Sequence, residues 1–144
     1  MGTQVEGTVE IAADPHAVMA VIADVAHYPE WTSGITAVEV LGTGADGRPS
    51  RARMQLDAGP VRDTYVVDYT WDDRSVSWTL VEGDMLTAMD GAYDVEPADG
   101  GSLVRFRLEV DVKVPLLGML KRKAAKLIVD AALGGLKSRV EGGP

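Results

Sequence analysis

Six apolar-rich segments follow one another between residues 35 and 114: ITAVEVL, RARMQL, DTYVVDYTW, SVSWTLV, LTAMDGAYDVE and SLVRFRLEVDVKV. Only turn-forming runs separate them, GTGADGRP, DAGP, DDR, EGD and PADGG. A parallel pair of strands needs a crossover of roughly a dozen residues, whereas an antiparallel pair closes through a tight turn. The stretch therefore reads as an antiparallel meander of about six strands. Several segments alternate: Ala52, Met54 and Leu56 oppose Arg51, Arg53 and Gln55, and Val104, Phe106, Leu108 and Val110 oppose Arg105, Arg107, Glu109 and Asp111. One face of the sheet is dry and the other wet.

The flanks supply a further strand and the helices. VEGTVEI places Val5, Val9 and Ile11 on one side and Glu6, Thr8 and Glu10 on the other, the pattern of a half-buried strand. Asp14-Pro15 is a helix opening, with an acceptor side chain at the cap and a proline at the first position, where its missing N–H costs nothing. Val18, Val21, Ile22 and Val25 then form one stripe, and Pro29 disfavours helical geometry at Tyr28, so this helix ends near His27. The longest helical pattern opens at Pro115, PLLGMLKRKAAKLIVDAALGGLKSRV, with Leu120, Ala124, Leu127, Ala131 and Leu136 as its apolar stripe. Gly134-Gly135 weakens its last third by roughly 1 kcal/mol per glycine relative to alanine.

Composition narrows the function. With no cysteine, a disulfide framework, a thiol nucleophile and a cysteine zinc site are excluded. A net charge of −8 argues against nucleic acid, whose phosphates are met by a basic face. The start MGTQVEGTVEI has no basic-then-apolar leader, no run of about 18 apolar residues occurs, and Glu6 stands where a myristoylation signal wants Ser or Thr. The expectation is a single cytoplasmic domain over residues 1–144, without stable membrane insertion.

The chain resembles the START-related superfamily of polyketide cyclase/dehydrase and lipid-transport proteins. The residues that carry the likeness are ADPHAVMAVIADVAHYPEW, the glycine-aromatic pair in DGAYDVE, and VPLLGMLKRKAAKLIVDAALGGLKSRVEG at the end. Within that superfamily it most resembles the small bacterial branch near the coenzyme Q-binding proteins. The resemblance implies an α+β helix-grip fold: a curved antiparallel sheet of about seven strands, two short helices after the first strand, and a long C-terminal helix wrapped by the sheet. It also implies an apolar cavity between sheet and helix that takes a lipid, quinone, polyketide or similar hydrophobic molecule. Two other readings remain open: an aromatase/cyclase that folds and dehydrates a poly-β-ketone, and a module that acts through a protein partner.

No catalytic, metal or cofactor constellation is expected. GTGADG matches G-x-G-x-x-G but leads through Arg48-Pro49 into another strand, whereas a dinucleotide loop must open a helix. His16 and His27 lack the spacing of metal ligands, the serines lie in no nucleophile elbow, and Asp72-Asp73 suits a turn. Were the protein a cyclase, Tyr65, Tyr69, Asp68 or Arg53 would be the conceivable acid-base groups, although Asp68 and Asp90 phase away from the dry face.

What remains is the inward side-chain set. Taking Trp78 as inward, the strand phases select Met54 and Leu56; Tyr65, Val67 and Tyr69; Leu80; Met89 and Tyr93; Phe106 and Leu108, with Leu116, Leu120 and Leu127 from the helix and Ile128 as a further candidate there. By pattern alone this is a packed core; under the resemblance it is the lining of a ligand cavity, with tyrosine hydroxyls as its polar groups. Trp31, in HYPEW, either anchors a proline-defined corner or contributes to the cavity rim. VPLLGMLKRK reads as a helix start buried against the sheet with Lys121, Arg122 and Lys123 in water; leucines exposed there would instead allow transient contact with an anionic membrane.

Overall fold

The computed structural model describes residues 2–142. Strand β1 (Thr3–Ile11) leads into helix α1 (Pro15–Ala23) and a 3-10 helix (Val25–Glu30). The meander follows as β2 (Ile35–Thr43), β3 (Pro49–Ala58), β4 (Val61–Trp71), β5 (Ser75–Gly83), β6 (Leu86–Ala98) and β7 (Gly101–Val112), and helix α2 (Gly118–Gly142) closes the chain. All neighbouring strands pair antiparallel, in the order β1-β7-β6-β5-β4-β3-β2. The first strand thus sits beside the last, and the two short helices carry the chain across to the opposite edge.

Local chemistry accounts for these boundaries. The Asp14 carboxylate accepts from the Ala17 amide at 3.0 Å, with Pro15 in the first turn, as the sequence predicts. The α-helix ends at Ala23, earlier than expected, and the chain tightens into the 3-10 helix that contains Pro29. GTGADG forms the β2–β3 turn, closed by the Gly44 amide on the Arg48 carbonyl at 2.8 Å. Asp72 and Asp73 make the β4–β5 turn, where the Asp72 carboxylate accepts the Asp73 amide at 2.8 Å.

The curved sheet grips α2, which runs in the direction of β1. Arg122 donates to the Gln4 carbonyl at 3.4 Å near one end and Lys137 to the Glu10 carbonyl at 2.8 Å near the other. A side chain at Gly7 of β1 would meet Leu133 at 2.9 Å and Val129 at 3.0 Å, so glycine there seats the helix. Gly135 performs the reciprocal service, because a Cβ on it would collide with the Trp31 carbonyl oxygen. The glycine pair read as a helical weakness therefore includes the point where α2 meets the end of the 3-10 helix backbone to backbone.

Two helix expectations are corrected. Helix α2 starts at Gly118 rather than Pro115, because the chain first crosses from the sheet, with the Lys113 amide held by the Met85 carbonyl at 2.8 Å. Its buried face is Ala124, Ala125, Val129, Ala132, Leu133 and Leu136, so the apolar stripe is rotated from the predicted one and Leu127 is 45% exposed. Seating against Gly7 selects Val129 and Leu133 and turns Leu127 outward.

Candidate functional site

Between the inner face of the sheet and α2 lies a chamber of about 50 Å³. Met54, Tyr65, Val67, Tyr69, Trp78, Met89, Tyr93, Phe106 and Leu108 line it from the sheet, as the strand phases place them. Ile128 and Ala132 close it from α2, and Tyr28, Thr32 and Ile35 from the segment that crosses between the sheet edges. The other candidates lie elsewhere. Leu56 is buried in the core outside the chamber; Leu80 and Leu116 pack partly buried against that core. Leu120 is partly buried and Leu127 exposed. Ile128, the further candidate on the helix, is the one of the four that lines the chamber.

Trp31 does not reach the chamber. Its ring meets Tyr28 edge-on, with centroids 5.0 Å apart, and borders grooves on the outer surface. Tyr28 does the inward work of HYPEW: it is buried, and its hydroxyl donates to the Ile22 carbonyl at 2.6 Å. Its signal was the corner itself, where a large side chain had to turn in.

The chamber wall is an aromatic cluster. Tyr93 and Phe106 meet edge-to-face at 4.6 Å, Trp78 lies 5.6 Å from each, and Tyr69 bridges Trp78 at 6.0 Å and Trp71 at 5.4 Å. Trp78 lies over Gly91, where any Cβ would run into its indole ring. Its position also explains the two faces of the wall: Trp78 and Leu108 line both the chamber and an outer groove bordered by Ser77, Asp90, Arg107 and Glu109.

The β5–β6 ladder parts beside this tryptophan. Ser75 to Trp78 pair with Asp94 to Gly91, and the pairing goes no further. Past that point the Asp90 carboxylate takes the Leu80 amide at 2.9 Å, a side chain replacing a ladder partner. At the turn the Asp63 carboxylate accepts from the amides of Asp84, Met85 and Leu86 at 3.2, 3.0 and 2.9 Å. Buried amides must find acceptors, and these two aspartates supply them along the parted hairpin.

The phenols carry the chamber's polarity. Tyr65 reaches only the Met54 sulfur, at 3.6 Å, a weak acceptor, and the hydroxyls of Tyr69 and Tyr93 make no hydrogen bond among the described residues. Burial pushes the ionisation of Tyr65 and Tyr93 far above the ordinary phenol range; it does the same to Tyr69, which is only partly buried by area, with Tyr65 and Tyr93 adding to the effect. All three are therefore neutral donors at physiological pH.

The charged candidates face outward. Arg51 grips Asp68 through two bonds of 2.6 and 3.0 Å, and Arg53 pairs Glu39 at 2.6 Å. Neither Asp68 nor Arg53 lines the chamber, in keeping with the outward phase of Asp68. His27 binds Asp24 at 2.7 Å on the surface; that hydrogen bond and the charges of Asp24 and Glu30 raise its pKa. Among the described residues no group of His, Cys, Asp and Glu could hold a metal ion, and no helix is long and apolar enough to cross a membrane.

A curved seven-stranded antiparallel sheet gripping a C-terminal helix, with an apolar chamber between, defines the helix-grip class. Residues 2–141 match the model of the family "Polyketide cyclase / dehydrase and lipid transport", and the chain belongs to that family. Solved structures agree on the fold. A START superfamily protein from Mycobacterium smegmatis is 25% identical with a TM-score of 0.87, over 96% of this chain and 97% of that one. The Zhui aromatase/cyclase from Streptomyces sp. R1128 is 19% identical with a TM-score of 0.80, over 98% and 94%. TTHA0849 from Thermus thermophilus is 23% identical with a TM-score of 0.79, over 96% and 97%. No curated protein matches the chain.

Proposed function

We propose that this chain is a single cytoplasmic domain that binds a hydrophobic small molecule, a lipid, quinone or polyketide bearing carbonyl or ether oxygens, in the chamber between sheet and α2. The observation that carries the reading is the pair of phenols, Tyr69 and Tyr93, whose hydroxyls face an apolar chamber with no protein partner among the described residues. Among the described residues no fully buried side-chain polar atom lacks a partner, so these hydroxyls stay accessible from within the chamber, and a ligand oxygen that accepts from them adds about 1 kcal/mol per hydrogen bond. Binding is favoured over cyclase chemistry because aldol condensation needs a base, and the lining offers only phenols held protonated.

The chamber's volume sets a condition. At about 50 Å³ it is well below the roughly 300 Å³ or more to which ligand sites commonly run. A ligand larger than the chamber would need its lining side chains to give way. Mass spectrometry of an organic extract of the purified protein, followed by titration with the recovered compound, tests the reading. Tyr69→Phe/Tyr93→Phe should weaken binding of an oxygen-bearing ligand by about tenfold while sparing a plain hydrocarbon of equal size. No extractable compound together with no affinity for hydrophobic fluorophores would refute it.

A further inference from the structure

The start of α2 is not buried against the sheet as its sequence suggests. Val114, Leu117 and Met119 are 50%, 67% and 73% exposed, and Leu127 stands on the same helix face as Met119, at a spacing of two turns. Lys123 lies midway between those two, with Arg122 and Lys126 beside it, all exposed. Residues 113–129 contain Lys113, Lys121, Arg122, Lys123 and Lys126 and no acid, in a chain whose net charge is −8. Lys121 is spent on Asp111 at 3.2 Å and Lys126 on Asp130 at 3.1 Å. Lys113, Arg122 and Lys123 have no carboxylate partner among the described residues.

We propose that this end of the molecule, the linker Lys113–Leu117 with the outer face of the first turns of α2, docks reversibly on an anionic lipid bilayer. Exposed apolar side chains interleaved with cations fit the boundary between headgroups and acyl chains, where the former enter the hydrocarbon and the latter meet phosphate. The rest of the protein, acidic as a whole, would be repelled by such a surface, so the charge distribution fixes which end approaches. Asp84, exposed in the turn beside Lys113, opposes the attraction and limits its strength. Apolar side chains that protrude this far suit a fluid layer that deforms around them better than a protein partner, which would need pockets to receive them. The inference is independent of the chamber's contents.

The test is flotation of the full chain with phosphatidylglycerol-rich vesicles and, separately, with pure phosphatidylcholine vesicles. Binding should occur on the anionic vesicles at low salt and fall steeply at high salt. Leu117→Ser/Met119→Ser and Arg122→Glu/Lys123→Glu should each reduce it about tenfold or more, whereas Val40→Ser/Leu41→Ser, at the other edge of the sheet, should not. Circular dichroism melts establish that every variant is folded. Absence of flotation at low salt, equal binding to both vesicle types, or unchanged binding of the two α2 variants would overturn the proposal. So would a dimer of the parent chain that Leu117→Ser/Met119→Ser dissolves, since the patch would then be a contact between copies.

Discussion

Helix α2 meets the rest of the molecule differently in its two halves. From Val129 to Leu136 it is pressed from two sides: Val129 and Leu133 fill the space above Gly7, and Gly135 lies against the Trp31 carbonyl. From Gly118 to Lys123 every residue is exposed or only partly buried. The contrast teaches that one helix can be a structural member at one end and a surface feature at the other, with the sheet's grip deciding where the change occurs. Helical stability in proteins comes mostly from packing, so the two halves should respond to equal substitutions unequally.

The largest effect is expected from Leu136→Ala, whose side chain is fully buried: a loss of about 3 to 4 kcal/mol in denaturant unfolding, against less than about 1 kcal/mol for Leu127→Ala. Gly135→Ala should cost about 2 kcal/mol, because the new methyl meets a backbone oxygen that cannot rotate away. Trp31→Ala should cost roughly 2 kcal/mol, less than a fully buried tryptophan, since its ring is partly exposed, and should leave ligand retention unchanged. Gly134→Ala should go the other way, raising stability by about 0.5 to 1 kcal/mol, as nothing lies within reach of its Cβ. The comparison breaks if the two glycines respond alike in a thermal melt. Leu117→Ser should be nearly neutral, within about 0.5 kcal/mol.

The antiparallel sheet was legible in the chain because short connectors leave one solution and because alternation at Ala52, Met54 and Leu56 fixes a face. The inward set on β3 to β7 followed from the same period of two, since a strand has only two faces to choose between. The helix was harder. Its face is set by a neighbour far away in sequence: Gly7, more than a hundred residues earlier, is what draws in Val129 and Leu133 and leaves Leu127 outside. A period of 3.6 tolerates such a rotation without violating any local rule. Val66 shows how a wet face can still bury a side chain. It is 4% exposed although it phases away from the chamber, because Arg53 and Glu82 cover it from the wet side, and the β4–β5 register shifts between Val66 and Val67. Chamber volume was beyond reach, since it depends on how closely side chains interdigitate rather than on which face they occupy.

The parted β5–β6 hairpin leaves the two parts of the sheet, β1-β7-β6 and β5-β4-β3-β2, joined by its shortest ladder, from Ser75 to Trp78. Trp78 stands on one side of that ladder and Met89, Tyr93, Phe106 and Leu108 on the other, so the chamber wall spans the weakest pairing in the sheet. Parting the sheet along this short ladder would widen the chamber while leaving β6 paired with β7. Amides of residues 79–82 and 87–90 that point into the seam should exchange with solvent sooner than those of β7, Leu80 being the exception for as long as Asp90 holds it. Closing that seam chemically is open to the experimenter, because a chain without cysteine accepts a single engineered pair with no competitor.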